Sequence, residues 1–237
     1  MYYGYGYGYG MNSSYLLVLI GVVICMLASF KMNSTFRKYS RMRNHSGITG
    51  REAAEQILRR AGIYDVRVEH VAGNLTDHYD PRSKVLRLSD ATYNSASVAA
   101  LGVAAHECGH AIQHDTGYVP LQIRGALVPV VNFGSMIAWP LILLGLFFTS
   151  RSSGMFLNLG ILAFSLAVLF QIVTLPVEFN ASGRAIRILG GSGLLYEDEV
   201  NATKKVLFAA ALTYVAGAIS SVLQLLRILM IANNRRN

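Results

Sequence analysis

Apolar residues gather along this chain in four long blocks, and a shorter region of mixed polarity separates the first block from the second. The blocks run Tyr15 to Phe30, Leu127 to Phe148, Met155 to Val177 and Leu207 to Leu226. At a rise of 1.5 Å per residue the last three extend about 30 Å or more, enough to cross a bilayer core. The first extends about 24 Å and needs its flanks or a thinner bilayer to do so. The pattern therefore predicts four transmembrane helices.

The region between the first two blocks alternates on shorter periods. Thr49-Gly-Arg-Glu52 has the form of a capping box. Ala53, Ala54, Ile57, Leu58 and Ala61 then recur at helical spacing until Gly62 stops the helix. Val66 to Val71 and Lys84 to Leu88 alternate as strands do, and Asp80-Pro81-Arg82-Ser83 is a turn leading into the second strand. A small antiparallel sheet is expected, with Lys84 to Leu88 as an edge to which an extended peptide could add by backbone pairing. A further helix is expected from about Ser95 to His114. It is crowded with small residues, including Gly102 and Gly109, so close neighbours should surround it. This α+β unit of roughly ninety residues is small for an independent core and should lean on the membrane helices.

Composition agrees with a membrane protein. The chain is 53% hydrophobic and 14% charged, with mean hydropathy +0.39. Its net charge of +8 is explained without nucleic acid, because Lys31, Arg37, Lys38, Arg41 and Arg43 follow the first span as a cytoplasmic flank does. No basic and aromatic stripe suggests a nucleic-acid partner. All but Arg151, Arg227, Arg235 and Arg236 of the 21 Lys and Arg fall on segments that this topology places in the cytoplasm. The two cysteines, Cys25 and Cys108, cannot form a disulfide framework, and Cys108 reads as a small buried side chain. Met1 to Gly10 alternate Tyr and Gly, a tail expected to be disordered.

The chemistry is carried by Val103-Ala-Ala-His-Glu-Cys-Gly-His-Ala-Ile-Gln113, in which His106, Glu107 and His110 spell His-Glu-x-x-His. On a helix, residues four apart share a face, so the two imidazoles can converge on one ion. Zinc suits such ligands, and the bound ion lowers the pKa of a water to about 7. Glu107, beside the ligands, is the expected general base.

A third ligand must come from elsewhere. His114 lies about 12 Å along the helix from His106, too far to share a site. The longer zinc signature fails because Gln113 and Thr116 occupy its places. Asp115 is too close to fold back, and Glu197, Asp198 and Glu199 suit the first turn of the fourth span, where negative charge complements the helix dipole. Glu178 remains. Two crossings bring it back to the side on which the histidines sit. The competing role for Glu178 is an interfacial carboxylate paired with Arg184 or Arg187. Ser182, one turn on, is placed to orient Glu178 or a ligating histidine.

Four stretches together carry a resemblance: Leu75-Thr-Asp-His-Tyr-Asp-Pro81, the His-Glu-x-x-His helix, Gly117-Tyr-Val-Pro-Leu121 and Glu178-Phe-Asn-Ala-Ser182. In these the chain resembles the YugP-type family of bacterial membrane zinc metallopeptidases, from about Gly47 to the last span. More distantly the layout is similar to the HtpX and CAAX prenyl protease group, which has Asp where Ser182 stands here. The resemblance implies a peptidase with zinc held by two His and a downstream Glu. His78 or Tyr79 could donate to the oxyanion of the intermediate, or simply brace their loop.

The expectation is thus an α+β membrane protein with four transmembrane helices and a small cytoplasmic zincin-like catalytic unit. Its divisions are a tail (1–14), a first span (15–30), the catalytic unit (31–125), a transmembrane hairpin (126–177), a Glu-ligand helix with connector (178–205) and a last span (206–232). It would hold one zinc ion on His106, His110 and Glu178, with Glu107 catalytic. Its partners would be the lipid bilayer and a peptide or membrane-protein substrate. The rival is a noncatalytic scaffold or quality-control factor with a structural zinc. Structural zinc usually has four protein ligands, and only three are found here.

Overall fold

The structure, a computed structural model, describes residues 13–148 and 152–234. The Tyr-Gly tail, the middle of the loop between the second and third spans, and Arg151, Arg235 and Arg236 lie outside the described residues. In chain order the elements are α1 (Ser13–Tyr39), α2 (Gly50–Arg60), β1 (Arg67–Val71), β2 (His78–Asp80), β3 (Val85–Ser89), α3 (Val98–Asp115), α4 (Val119–Phe147), α5 (Ser153–Gly191) and α6 (Glu197–Asn234).

Four helices, α1, α4, α5 and α6, are long and apolar enough to cross a membrane. Met26, Phe30, Phe133, Met136 and Leu162 on them are each at least 60% exposed, a surface suited to lipid. α4 and α5 pack as a hairpin, and small residues let them close. A Cβ on Gly145 would sit 2.6 Å from the Leu157 nitrogen, and one on Gly160 would sit 2.9 Å from that of Ile142. α5 continues without a break past Pro176, so Glu178 stands on the same helix as the third span rather than at a new start.

Local sequence explains the small unit. The Thr49 Oγ1 accepts from the Glu52 amide at 3.3 Å and the Thr49 amide donates to Glu52 Oε2 at 2.8 Å, completing the capping box that starts α2. Gly62, at φ +76°, takes the left-handed turn after it. At the start of α3 the Ser97 hydroxyl accepts from the Ala100 amide at 3.1 Å.

The sheet departs from expectation. Its order is β1-β3-β2, with β1 parallel and β2 antiparallel to β3. Asp80 drives the turn as expected, accepting from the Arg82 amide at 3.0 Å and the Ser83 hydroxyl at 2.6 Å. That turn reverses the chain from β2, not from β1. The segment after β1 first crosses over to lay down His78 to Asp80, and β3 then returns between the two. The Lys84 to Leu88 stretch is therefore central, and β1 and β2 are the edges.

One core joins the small unit to the membrane helices. Ile57 and Leu58 of α2, Leu86 and Leu88 of β3, and Leu101 and Ala105 of α3 pack with Ala185 and Leu189 of α5 and Leu207 of α6. The start of α6 is tied down by Glu199, 4% exposed, which accepts from the amides of His45 (2.7 Å) and Tyr196 (2.8 Å) and from the His45 ring.

The two interior glycines of α3 mark where it is gripped. A Cβ on Gly109 would lie 2.7 Å from the Ala181 carbonyl oxygen and 3.1 Å from its Cα, both backbone atoms of α5. The atoms nearest a Cβ on Gly102 would all belong to the Thr203 side chain of α6, its methyl at 2.9 Å, and not to backbone. Gly183 has open space around it. Thermal unfolding of three alanine variants in detergent should therefore rank them. Gly183→Ala should match or exceed the parent by up to about 1 kcal/mol from helix propensity. Gly102→Ala should change little, and Gly109→Ala should lose about 1–3 kcal/mol. Equal effects at all three positions would deny the close α3–α5 contact.

Candidate metal centre

His106 and His110 project from successive turns of α3, with ring centroids 4.8 Å apart and planes near perpendicular at 87°. Glu178 of α5 is 3% exposed and comes to both. Its Oε2 lies 3.3 Å from His106 Nε2 and 3.7 Å from His110 Nε2. One donor atom from each of the three residues falls within 4.8 Å of the others. A tetrahedral ion with bonds of 2.0–2.1 Å has ligand atoms about 3.4 Å apart, close to the spacings seen here.

The far nitrogen of each ring is held. Gln113, fully buried, donates through Nε2 to the Val177 carbonyl at 2.8 Å and to Asn180 Oδ1 at 3.0 Å. A carbonyl can only accept, so the amide orientation is fixed and its Oε1 faces His110 Nδ1 at 3.0 Å. That nitrogen must then carry the proton, leaving Nε2 with a free lone pair toward Glu178. His106 Nδ1 meets the Ser182 hydroxyl at 3.1 Å, which can accept its proton in the same manner. Ser182 thus touches a histidine, one of the two alternatives expected from its place one turn after Glu178.

Arg124 of α4 is the partner that sequence reasoning did not name. Its Nη1 lies 3.4 Å from Glu178 Oε1, whereas Arg184, one of the two partners under the competing reading of Glu178, donates to Asn180 Oδ1 at 2.8 Å. No periodicity links a cation at the head of one span with a carboxylate near the end of the next. Tyr214 of α6 was missed likewise. It lines a cavity of about 500 Å³ together with Glu107, His110, Arg124 and Glu178, and it feels the charge of both carboxylates.

Other candidates are occupied elsewhere. The Tyr79 hydroxyl pairs with His114 Nδ1 at 2.9 Å, and burial pushes the Tyr79 phenol up to about 12. His78 Nδ1 bonds to the Thr76 carbonyl at 2.8 Å. Asp77 accepts from the amide and the hydroxyl of Ser89, both at 2.8 Å, so it braces the loop before β2. Cys108 turns away from the histidines toward the Ala54 carbonyl, 3.6 Å from its Sγ, and burial pushes its thiol far above the ordinary range. Glu107 is 8% exposed and lines the 500 Å³ cavity together with residues from β2 and α4.

These features agree with two comparisons. The chain is 50% identical over 210 residues, 89% of its own length and 92% of the relative's, to "Putative membrane protease YugP" of Bacillus subtilis (strain 168). No solved structure matches it. With its four apolar helices it is a multi-pass membrane protein. Residues 14–233 match the family described as "Putative neutral zinc metallopeptidase", and the chain belongs to that family.

Proposed function

We propose that this chain is a membrane zinc metalloendopeptidase that holds one zinc ion on His106, His110 and Glu178 and uses Glu107 as its general base. The observation that carries the reading is the convergence of three donors from α3 and α5, with both Nδ1 atoms occupied and both Nε2 atoms turned to one point. Three protein ligands leave a position open, as catalytic rather than structural zinc requires. A zinc ion bound there supplies Lewis acidity that polarises a carbonyl and makes a water acidic enough to attack at neutral pH.

The chain's own residues do the rest. A carboxylate oxygen of Glu107 takes the proton of the attacking water and passes it to the leaving amine. Tyr214, which lines the cavity beside Glu107 and Glu178, donates a hydrogen bond from its phenol to the carbonyl oxygen as that oxygen gains charge. Arg124 balances Glu178, so that the buried carboxylate keeps its place. An extended substrate adds to the free edge of β2, whose residues His78 and Tyr79 line the same cavity. The cluster from Lys31 to Arg43 favours a cytoplasmic location for this side of the molecule, and the catalytic unit is zincin-like in joining a helix with the motif to a small sheet.

Purified enzyme in detergent, loaded with zinc and offered unfolded casein, tests the reading. Glu107→Gln should keep about one zinc per chain and lose about 10²–10⁴-fold in kcat. Parental activity in that variant would remove the mechanism. Tyr214→Phe should keep zinc and KM while kcat falls about 10²-fold; a change confined to KM would assign Tyr214 to binding instead. Glu178→Gln should lose zinc after dialysis against a mild chelator, whereas Ser182→Ala should weaken retention by about tenfold.

A further inference from the structure

A second cavity, of about 230 Å³, adjoins the first. Asp77, Glu107 and Tyr214 line both, so the two meet at the proposed general base. Their characters differ. The larger carries Arg124, His78, His114 and Gln122. The smaller is walled by Met32 of α1, Val103 of α3, Val206, Leu207 and Ala210 of α6, and Leu75.

The polar groups of the smaller cavity are either at the metal end or engaged. His106, Glu107 and Tyr214 stand at the mouth. Asp77 is spent on Ser89, and the Thr213 hydroxyl donates to the Ala210 carbonyl at 2.6 Å. Among the described residues no Lys or Arg lines it. Six of the eleven residues that line it are apolar, and an apolar side chain entering this space would exchange water for Val103, Leu207 and Ala210.

The geometry points to this cavity as the specificity site of the peptidase, receiving one large apolar side chain, such as Leu, Met or Phe, from a residue flanking the scissile bond. The inference rests on the peptidase reading and adds to it the class of sequence cleaved. A chain passing through both cavities lays its peptide bond beside Glu107 and Tyr214, the two shared residues that stand at the metal end. The side chain next to that bond then falls between α1, α3 and α6. Val103 stands one helical turn before His106 on the same face, so the wall of the site and the first histidine share one rigid element. Ala210 of α6 is the smallest of the apolar residues that line the cavity.

The test is cleavage-site mapping by mass spectrometry, with the full-length zinc-loaded enzyme and a peptide library from a digested proteome. The parent should cut with large apolar residues enriched at one position adjoining the bond. Ala210→Phe should lower the ratio of cuts beside Leu, Met or Phe to cuts beside Ala or Gly at least about tenfold, since one or two methylenes in an apolar pocket carry that much discrimination. Val103→Ala should move the preference the other way, toward Phe and Trp. It also decides the matter should Ala210→Phe prove to lack zinc or to melt early. An active parent with no apolar preference at either adjoining position, or unchanged profiles in both zinc-loaded variants, would overturn the inference and leave the peptidase reading intact. A parent that cuts no peptide would overturn the peptidase reading itself, and this inference with it.

Discussion

The proposed metal cage begins on one helical turn and needs its third donor delivered by something stiff, and that delivery depends on how closely α3 can lie against α5. Gly109 removes the side chain that would hold the two backbones apart, and it sits between Glu107 and His110, where the closeness matters most. Gln113 then fastens the same two helices from His110 to Val177 and Asn180, the residues on either side of Glu178. Packing and hydrogen bonding therefore fix the same distance. A shift of 1 Å between α3 and α5 would spoil the donor spacing, since metal ligands tolerate errors of a few tenths of an ångström.

The carboxylate of Glu178 sets a second constraint. A buried charge without partners costs several kcal/mol, yet this one stands 3% exposed on a helix whose other residues are mostly apolar. Two imidazoles and the Arg124 guanidinium surround it. Arg124 comes from the head of α4, so the hairpin of α4 and α5 is bound into the site at both of its near ends. The membrane helices are in this sense part of the centre and not merely its anchor, which fits a core that runs without division from α2 and β3 to Leu189 and Leu207.

Much of the site could be read from the chain because local rules govern it. The capping box at Thr49, the His106–His110 spacing, the burial of Cys108 and the placing of the acidic triplet at the head of α6 follow from neighbours within one or two turns. Glu178 was reachable by elimination, since few carboxylates follow the motif. What escaped depends on distant parts of the chain. The direction of β1 relative to β3 is decided by a crossover that lays down a strand of three residues, too short to show a period. Arg124 and Tyr214 lie on spans where a lone arginine or tyrosine has an ordinary interfacial explanation. Only the packing of α4 and α6 on either side of α5 turns them toward one carboxylate.

That packing also bears on why the third donor stands in the middle of an unbroken helix. A loop could supply a carboxylate, but its backbone would move with the substrate, and the position of Glu178 would then vary with what is bound. On α5 the residue is flanked by Val177 and Asn180, both bound by Gln113 of α3, and by Ala181, whose backbone lies against Gly109 of α3. The loop before β2 is held differently, through Asp77 and Ser89, and His78 and Tyr79 of the edge strand it positions line the same cavity as His110 and Glu178. The three donors therefore stand on two helices packed directly against each other, which keeps the Glu178 carboxylate at its distance from His106 and His110.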